Sequence, residues 1–406
     1  MPKLHSGLLK GSLILLIAFG MFNLFNLLFQ TSMARLLTLA DYGILATLFS
    51  MAYILTIFSE SIQTVITKYS SNEKNAGRLK NLITKSLKKA SSVSLLAFIV
   101  YLVISVPLSI VLKIPYPFLF LNGLVIFTAF LSPVLRGIMQ GKKQFFNLGS
   151  NLVSESVIKL CLAVLFVLLG FGLYGALAGA FLGGVFALAF AFFQLKTIFS
   201  EEEIKTKFSG IYDYAKPTFF IMIIITLFFN IDIIIAKLFF SSEMVGAYAV
   251  SSILAKIIFW GTQPISKAMF PLSAQKKLSK EKSQNIFFNS FLLVLLLSSA
   301  GFLFYLFFPK TIITLFSGQA ITQAITILPI LGLAMGFLAL SNTILLYRLS
   351  TGSTSRHYFL IFFFIIEIIL LVIFSHNLLE YSLAFLTSSA FLLFGLIIFH
   401  KDEQNN

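Results

Sequence analysis

Two stretches, ARLLTLADYGILA (residues 34–46) and AKLFFSSEMVGAYA (residues 236–249), decide how this chain is built. Each opens on alanine and a base, Ala34-Arg35 and Ala236-Lys237. Each places an acid six residues after the base, Asp41 and Glu243. Each then has a glycine, Gly43 and Gly246, after a one-residue slip. The order continues outward. Glu60 and Ile62 align with Gln263 and Ile265 at an offset of 203. Gln140-Gly141 of LRGIMQGKKQFF (135–146) aligns with Thr351-Gly352 of YRLSTGSTSRHYF (347–359) at 211, and Glu155 meets Glu367 to within a residue. Each match is weak alone. The ordered series at a slowly growing offset predicts two halves of the same topology.

The solvent of those halves is a bilayer. The 406 residues are 58% apolar and 11% charged, whereas soluble domains carry about 25% charged residues. A membrane helix needs roughly 20 mostly apolar residues. Such runs occupy 11–34, 42–67, 90–112, 118–140, 148–170 and 172–195, then 217–239, 244–270, 285–308, 322–346, 357–376 and 381–400. The expectation is an all-α polytopic membrane protein of about twelve transmembrane helices. It has an N-terminal six-helix lobe (1–195), a linker (196–216) and a C-terminal six-helix lobe (217–406). Pro217 suits the first turn of a helix. The first run is too long for the apolar core of a cleavable signal.

Charge sets the orientation. Of the 30 Lys and Arg, 24 fall on the N-terminus, the C-terminus and the five connections that share their side; four lie opposite (Arg35, Lys113, Lys237, Lys310), and Lys159 and Lys256 lie within spans. Basic residues collect on the cytoplasmic side, so both termini are expected in the cytoplasm. The net charge of +15 is thereby explained without nucleic acid, because it is spread over seven pieces. In GRLKNLITKSLKKAS (77–91), Leu79, Leu82, Ile83 and Leu87 share one helical face. That pattern fits an interfacial helix on anionic lipid, and plain positive-inside charge accounts for its lysines equally well. The single Cys161 lies in an apolar run with no ligand spacing to a second Cys or a His, and no metal site is expected.

Ionisable groups inside spans are functional candidates by default. At about 1.5 Å per residue, Lys256 lies about 18 Å from the outer start of its span. Glu367 lies about 15 Å from the cytoplasmic start of its own, and Asp232 about 10 Å below its outer end. These depths put Lys256 within reach of Asp232. Arg35 and Lys237 sit where they can snorkel to the outer interface. Glu155 and Lys159 are spaced i, i+4, which suits a local ion pair. A midplane cavity with Lys256, Arg35 and Lys237 favours an anionic ligand. Asp232, Glu60, Glu367 and Glu155 supply counter-charge or sites for a coupling ion, H+ or Na+. Asn230, Ser251, Ser252, Gln263 and Asn151 add sugar-compatible hydrogen bonds. No other cofactor is expected. Duplicated halves of six spans are a transporter architecture with the site near the midplane.

SMARLLTLADYGILATLFSMAYIL (32–55), IFSESIQTVITKYSS (57–71), LRGIMQGKKQFF (135–146), NIDIIIAKLFFSSEMVGAYAVSSILAKIIF (230–259) and PISKAMFP (264–271) resemble the signatures of the polysaccharide-transporter family. That family of lipid-linked oligosaccharide flippases belongs to the multidrug/oligosaccharidyl-lipid/polysaccharide exporter (MOP) superfamily, which includes the multidrug MATE transporters. The resemblance implies a MATE-like pair of rocking lobes around a cationic cavity, with Arg35, Asp232 and Lys256 as its residues. It implies a flippase for polyprenyl-diphosphate-linked oligosaccharide in the cytoplasmic membrane. Its partners would be that lipid-linked glycan, anionic membrane lipid and the glycosyltransferases or polymerase of the same pathway, and it would act as a monomer.

Two other functions compete. A multidrug or metabolite cation antiporter of the same superfamily would favour an acidic cavity, and this sequence offers both signs. A membrane glycosyltransferase or polymerase would need a sizeable loop and often an acidic metal motif. The longest outer connection is PKTIITLFSGQAITQA (309–324), and the four histidines, His5, His357, His376 and His400, are scattered. An enzyme is therefore not expected.

Overall fold

The computed structural model describes residues 2–206, 216–273, 279–351 and 359–405, and these are helical with short connections and no strands. In chain order the helices are α1 (Pro2–Leu36), α2 (Leu39–Ile54), α3 (Thr56–Asn72), α4 (Ala76–Val111), α5 (Tyr116–Gly123), α6 (Val125–Gly141), α7 (Phe145–Phe166), α8 (Gly172–Gln194) and α9 (Lys196–Phe199). They continue as α10 (Lys216–Phe239), α11 (Ser242–Ser273), α12 (Lys280–Phe307), α13 (Pro309–Ser317), α14 (Thr322–Thr351), α15 (Phe359–Ile373) and α16 (Leu378–Asn405). Helices satisfy their own backbone groups, which a bilayer cannot do for them. Nine described stretches are long and apolar enough to cross a membrane, and α15 is a shorter apolar helix. The protein is a multi-pass membrane protein.

Several spans are more finely divided than hydropathy suggests. The run 42–67 breaks at Leu55 into α2 and α3, and 118–140 breaks at Leu124 into α5 and α6. The apolar stretch Phe145–Gln194 turns back at Gly170 and Gly172, whose φ values of 93° and 51° suit glycine. The connection at 309–324 holds a short helix, α13, which opens on Pro309 and closes on left-handed Gly318. Pro217 falls in the first turn of α10. Within the linker, residues 207–215 lie outside the described residues, as do Gly352 and His357.

The chain divides into two compact units: Met1–Thr38 with Met51–Lys216, and Leu39–Ser50 with Pro217–Asn406. Most of α2, Leu39–Ser50, thus groups with the second unit. The physical reason is a close approach of the repeat-mates. A Cβ on Gly43 would overlap the Ser242 carbonyl oxygen, and one on Gly246 would overlap the Leu39 carbonyl oxygen. Only glycine at both positions lets the starts of α2 and α11 pack backbone to backbone.

In the first unit, α7 and α8 pack along a stripe of small residues. Gly179 faces the Ala163 backbone and Gly183 the Lys159 backbone. The expected interfacial helix over 77–91 is corrected here. It is the opening of α4, and Leu79, Leu82 and Ile83 are buried in a core with Ile66, Leu135, Ile138, Leu195 and Ile198. That apolar face is covered by protein, so it does not lie on lipid. The polar side of the same turns straps the linker down. Lys80 donates to the Glu201 carbonyl (2.7 Å), Lys85 to the Thr206 carbonyl (2.8 Å), and Asn81 bonds Glu203.

In the second unit, α11 and α14 are the central helices: 78% and 67% of their apolar windows are buried, against 22% for α12. The outer helices of both units present apolar side chains to lipid, such as Ile110 on α4 and Phe307 on α12. Cys161 on α7 is likewise exposed.

The internal repeat appears in the hydrogen bonding. In the first unit, Gln63 of α3 donates to Gln140 of α6 (2.8 Å), and Thr67 joins the same oxygen (3.2 Å). In the second, Ser266 of α11 bonds Thr343 of α14 (2.8 Å). Both pairs are separated by 77 residues, and 203 carries Gln63 to Ser266 and Gln140 to Thr343. The register at these hydrogen-bonded pairs is therefore 203. Gly141 is a packing residue and lies against Ser70 and the Thr67 carbonyl.

Candidate functional site

The most concentrated buried charge is inside the second unit. Asp232 sits two turns from the end of α10, fully buried. Its neighbours come from three helices. From α11, the Tyr248 hydroxyl donates to Asp232 Oδ2 at 3.1 Å and the Ser252 hydroxyl donates to the same oxygen at 3.0 Å. Residues 248, 252 and 256 are four apart, so they rise on one face of that helix. The third, Lys256, brings its Nζ to 3.7 Å from Asp232 Oδ1 and 4.7 Å from the centre of the Phe229 ring. From α16, the Tyr381 hydroxyl donates to the Asp232 carbonyl oxygen at 2.6 Å. The Tyr248 and Tyr381 rings meet edge to face, 5.4 Å apart. From α15 comes Glu367, also fully buried, within electrostatic reach of Asp232 and Lys256.

An ion pair taken out of lipid and water alike survives only when its remaining valences are met. Here two hydroxyls, an ammonium and an aromatic face share the work for Asp232 and Lys256. Glu367 differs, because neither of its carboxyl oxygens has a hydrogen-bond partner. Beside this cluster, Ile224, Phe228, Phe229, Phe259, Ser341 and Asn342 border a narrow apolar cleft with room for little more than one water molecule.

The other residues read from the sequence spread out. Asn230 is buried and bonds back to the Thr226 carbonyl (2.9 Å). Ser251 donates to the Ala324 carbonyl (2.8 Å), a helix-to-helix bond. Arg35, Glu60 and Glu243 are exposed, and Asp41 and Gln263 are half-buried. Two expectations change. Lys237 is buried, with Nζ on the Ser242 hydroxyl at 2.6 Å, so it does not snorkel outward. The cavity-facing placement expected of Asp232, Lys256 and Glu367 gives way to an enclosed one: all three are buried, and hydroxyls and rings of the same unit pack around Asp232 and Lys256.

In the first unit, Glu155 pairs with Arg136 of α6. Arg136 Nε also donates to Asn151 (2.8 Å), which in turn donates to the Ala187 carbonyl (2.8 Å) and Gln194 (3.3 Å). Lys159 donates to Asn26 and lies 4.6 Å over the Phe29 ring. The i, i+4 spacing pointed to a pair within one helix. The structure supplies partners on neighbouring helices for both. Arg136, Tyr248 and Tyr381 were not singled out from the sequence. The signal for the tyrosines was polar tips inside apolar runs, and for Arg136 a base just inside the fourth span. Among the described residues no three of His, Cys, Asp and Glu come together to hold a metal.

Comparison with known proteins agrees with this architecture. A multidrug resistance MATE family transporter of the MOP superfamily, in an inward-facing conformation, matches with TM-score 0.79 and 13% identity, over 95% of this chain and 96% of its own. The lipid II flippase MurJ, in an inward closed conformation, matches with TM-score 0.76 and 13% identity, over 96% and 87%. An outward-facing MATE transporter matches with TM-score 0.60 and 15% identity, over 98% and 95%. These likenesses establish the fold, which the chain shares with those solved structures. No curated protein sequence matches the chain. A family model described as polysaccharide biosynthesis protein matches residues 8–277, about two thirds of the chain. The chain belongs to the polysaccharide biosynthesis protein family.

Proposed function

We propose that the protein moves a polyprenyl-diphosphate-linked oligosaccharide, a precursor of surface polysaccharide, across the cytoplasmic membrane by alternating access. Family membership carries this reading: polysaccharide made on a lipid carrier inside the cell must cross the membrane. The fold shared with a protein named a lipid II flippase supports it. The charge distribution supports an orientation with both termini in the cytoplasm. Arg35 is the exposed cation among the three read as ligand-binding, and it is the one we assign to the anionic diphosphate. Gln263, half-buried, suits sugar hydroxyls. Lys256 and Asp232 act from inside the second lobe, with Glu367, as the ion-coupling centre for H+ or Na+. Glu155, held by Arg136, is the weaker candidate for coupling. The protein works as a monomer beside the glycosyltransferases and polymerase of its pathway, with anionic lipid around its basic face.

The fold shared with multidrug MATE transporters supports a second reading, a cation antiporter. One experiment separates them. The protein is reconstituted in vesicles with fluorescent polyprenyl-diphosphate oligosaccharide, and exchange between leaflets is measured by quenching from outside. Exchange that requires the protein, and that falls at least tenfold in Arg35→Ala, is the expected result. Failure to exchange any such lipid, together with efflux of an organic cation, would establish the antiporter instead.

A further inference from the structure

The interior of the second unit holds two carboxylates and one ammonium, and all three side chains are almost completely buried. Asp232 has partners: Oδ2 takes two hydroxyl donors, and Oδ1, which accepts no hydrogen bond, faces the Lys256 ammonium at 3.7 Å. That leaves Glu367 with no hydrogen-bond donor on either oxygen. The groups acting on it from the packed helices are Asp232 on α10, Lys256 and Tyr248 on α11, and Tyr381 on α16. Only Lys256 among them is cationic, and it is already engaged. An ionised carboxylate in such a place is far less stable than a neutral acid. Without a further positive charge the cluster carries a net −1.

Two things can supply that charge, a metal cation or a proton. A metal cation needs several oxygens converging on one point, and the two acidic side chains do not offer them. The ammonium and two hydroxyls occupy Asp232. The geometry points to the proton. We propose that Glu367 carries the coupling proton of this protein, and that the Lys256 ammonium, tethered beside Asp232, takes the place a metal cation would otherwise fill. This deepens the ion-coupled reading above and rests on it. With the proton on Glu367 the cluster is neutral and the apolar packing of α10, α11, α15 and α16 is undisturbed. Release of the proton leaves a bare charge that the packed state cannot hold, so the helices must rearrange to bring water to it. The proton is taken from and returned to water, and no other reactant is needed. The tethered ammonium also makes the site selective: Na+ finds Asp232 already neutralised.

The test uses the purified full-length protein and needs no substrate. Infrared difference spectra across a pH titration are expected to contain the carbonyl stretch of a buried protonated carboxyl group, absent in Glu367→Gln. Glu367→Gln mimics the neutral acid, so its thermal midpoint at neutral pH should equal or exceed that of the wild type. The wild type should show the same midpoint in NaCl and in choline chloride of equal concentration. Lys256→Met, which leaves the Asp232 carboxylate without its ammonium, should acquire a rise of a few degrees in NaCl alone. A wild type stabilised by Na+ overturns the proposal. So does a Glu367→Gln spectrum that keeps the protonated-carboxyl band. A large destabilisation of Glu367→Gln would mean that Glu367 is ionised, which also overturns it. If Lys256→Met does not fold, the spectra and the sodium response of the wild type still decide. None of these readouts depends on the oligosaccharide, so a failed leaflet-exchange assay and a failed proton assignment are separate outcomes.

Discussion

A buried carboxylate deprived of its cation has nowhere to place its charge. Lys256→Ala removes the ammonium 3.7 Å from Asp232 and should lower stability by about 3–5 kcal/mol, the usual penalty for breaking a buried pair. Asp232→Asn strands the lysine and should cost a similar amount. The double variant Asp232→Asn with Lys256→Met removes both charges and should lose much less than the sum. A thermal-unfolding cycle in detergent checks this non-additivity; additive losses would show that the pair does not act as a unit. The Arg136–Glu155 pair is partly exposed, at 12% and 29% of the side chains. Screening by water reduces its worth, so Arg136→Ala should cost roughly 1 kcal/mol plus whatever the Asn151 bond adds.

At the scale of helices, close backbone approach is the controlling feature. Gly43→Ala and Gly246→Ala each drive a methyl group into a carbonyl oxygen of the facing helix. Backbone cannot step aside as a side chain can, so each should cost about 1–3 kcal/mol. Both should also impair transport, because the starts of α2 and α11 can no longer pack. Gly261→Ala on α11 is the matched control, since nothing lies within 4 Å of the added carbon. It should be neutral or gain up to about 1 kcal/mol from helix propensity. Thermal midpoints of the three variants, measured side by side, check the contrast. Equal midpoints would mean that the α2–α11 contact is not tight.

For the whole molecule, orientation is the measurable quantity. In a background with Cys161→Ser, Lys74→Cys lies in the connection between α3 and α4 and Lys310→Cys at the start of α13; both positions are exposed. A membrane-impermeant maleimide added to intact cells should label Lys310→Cys and leave Lys74→Cys unmodified until the cells are opened. The reverse pattern would invert the topology drawn from the basic residues. Labelling at both positions would mean a mixed insertion.

The sequence by itself determined the class of this protein, because it follows from local and additive properties. Apolar runs of 20 residues must be membrane helices, and paired signatures at 34–46 and 236–249 must come from a repeated half. Proximity of Asp232 and Lys256 was legible for the same reason: depth along consecutive spans is a count of residues. What the sequence left open depends on rotation about helix axes and on partners far along the chain. Tyr381 reaches Asp232 across 149 residues, and Arg136 rather than a neighbour on its own helix meets Glu155. The amphipathic turns at 77–91 looked ready for lipid, yet their apolar face is claimed by Ile66, Leu135 and Ile198. Within a bilayer an apolar face gains nothing by choosing protein over lipid. Periodicity alone therefore cannot say which faces are inside, and only the packed helices decide which buried charges share a site.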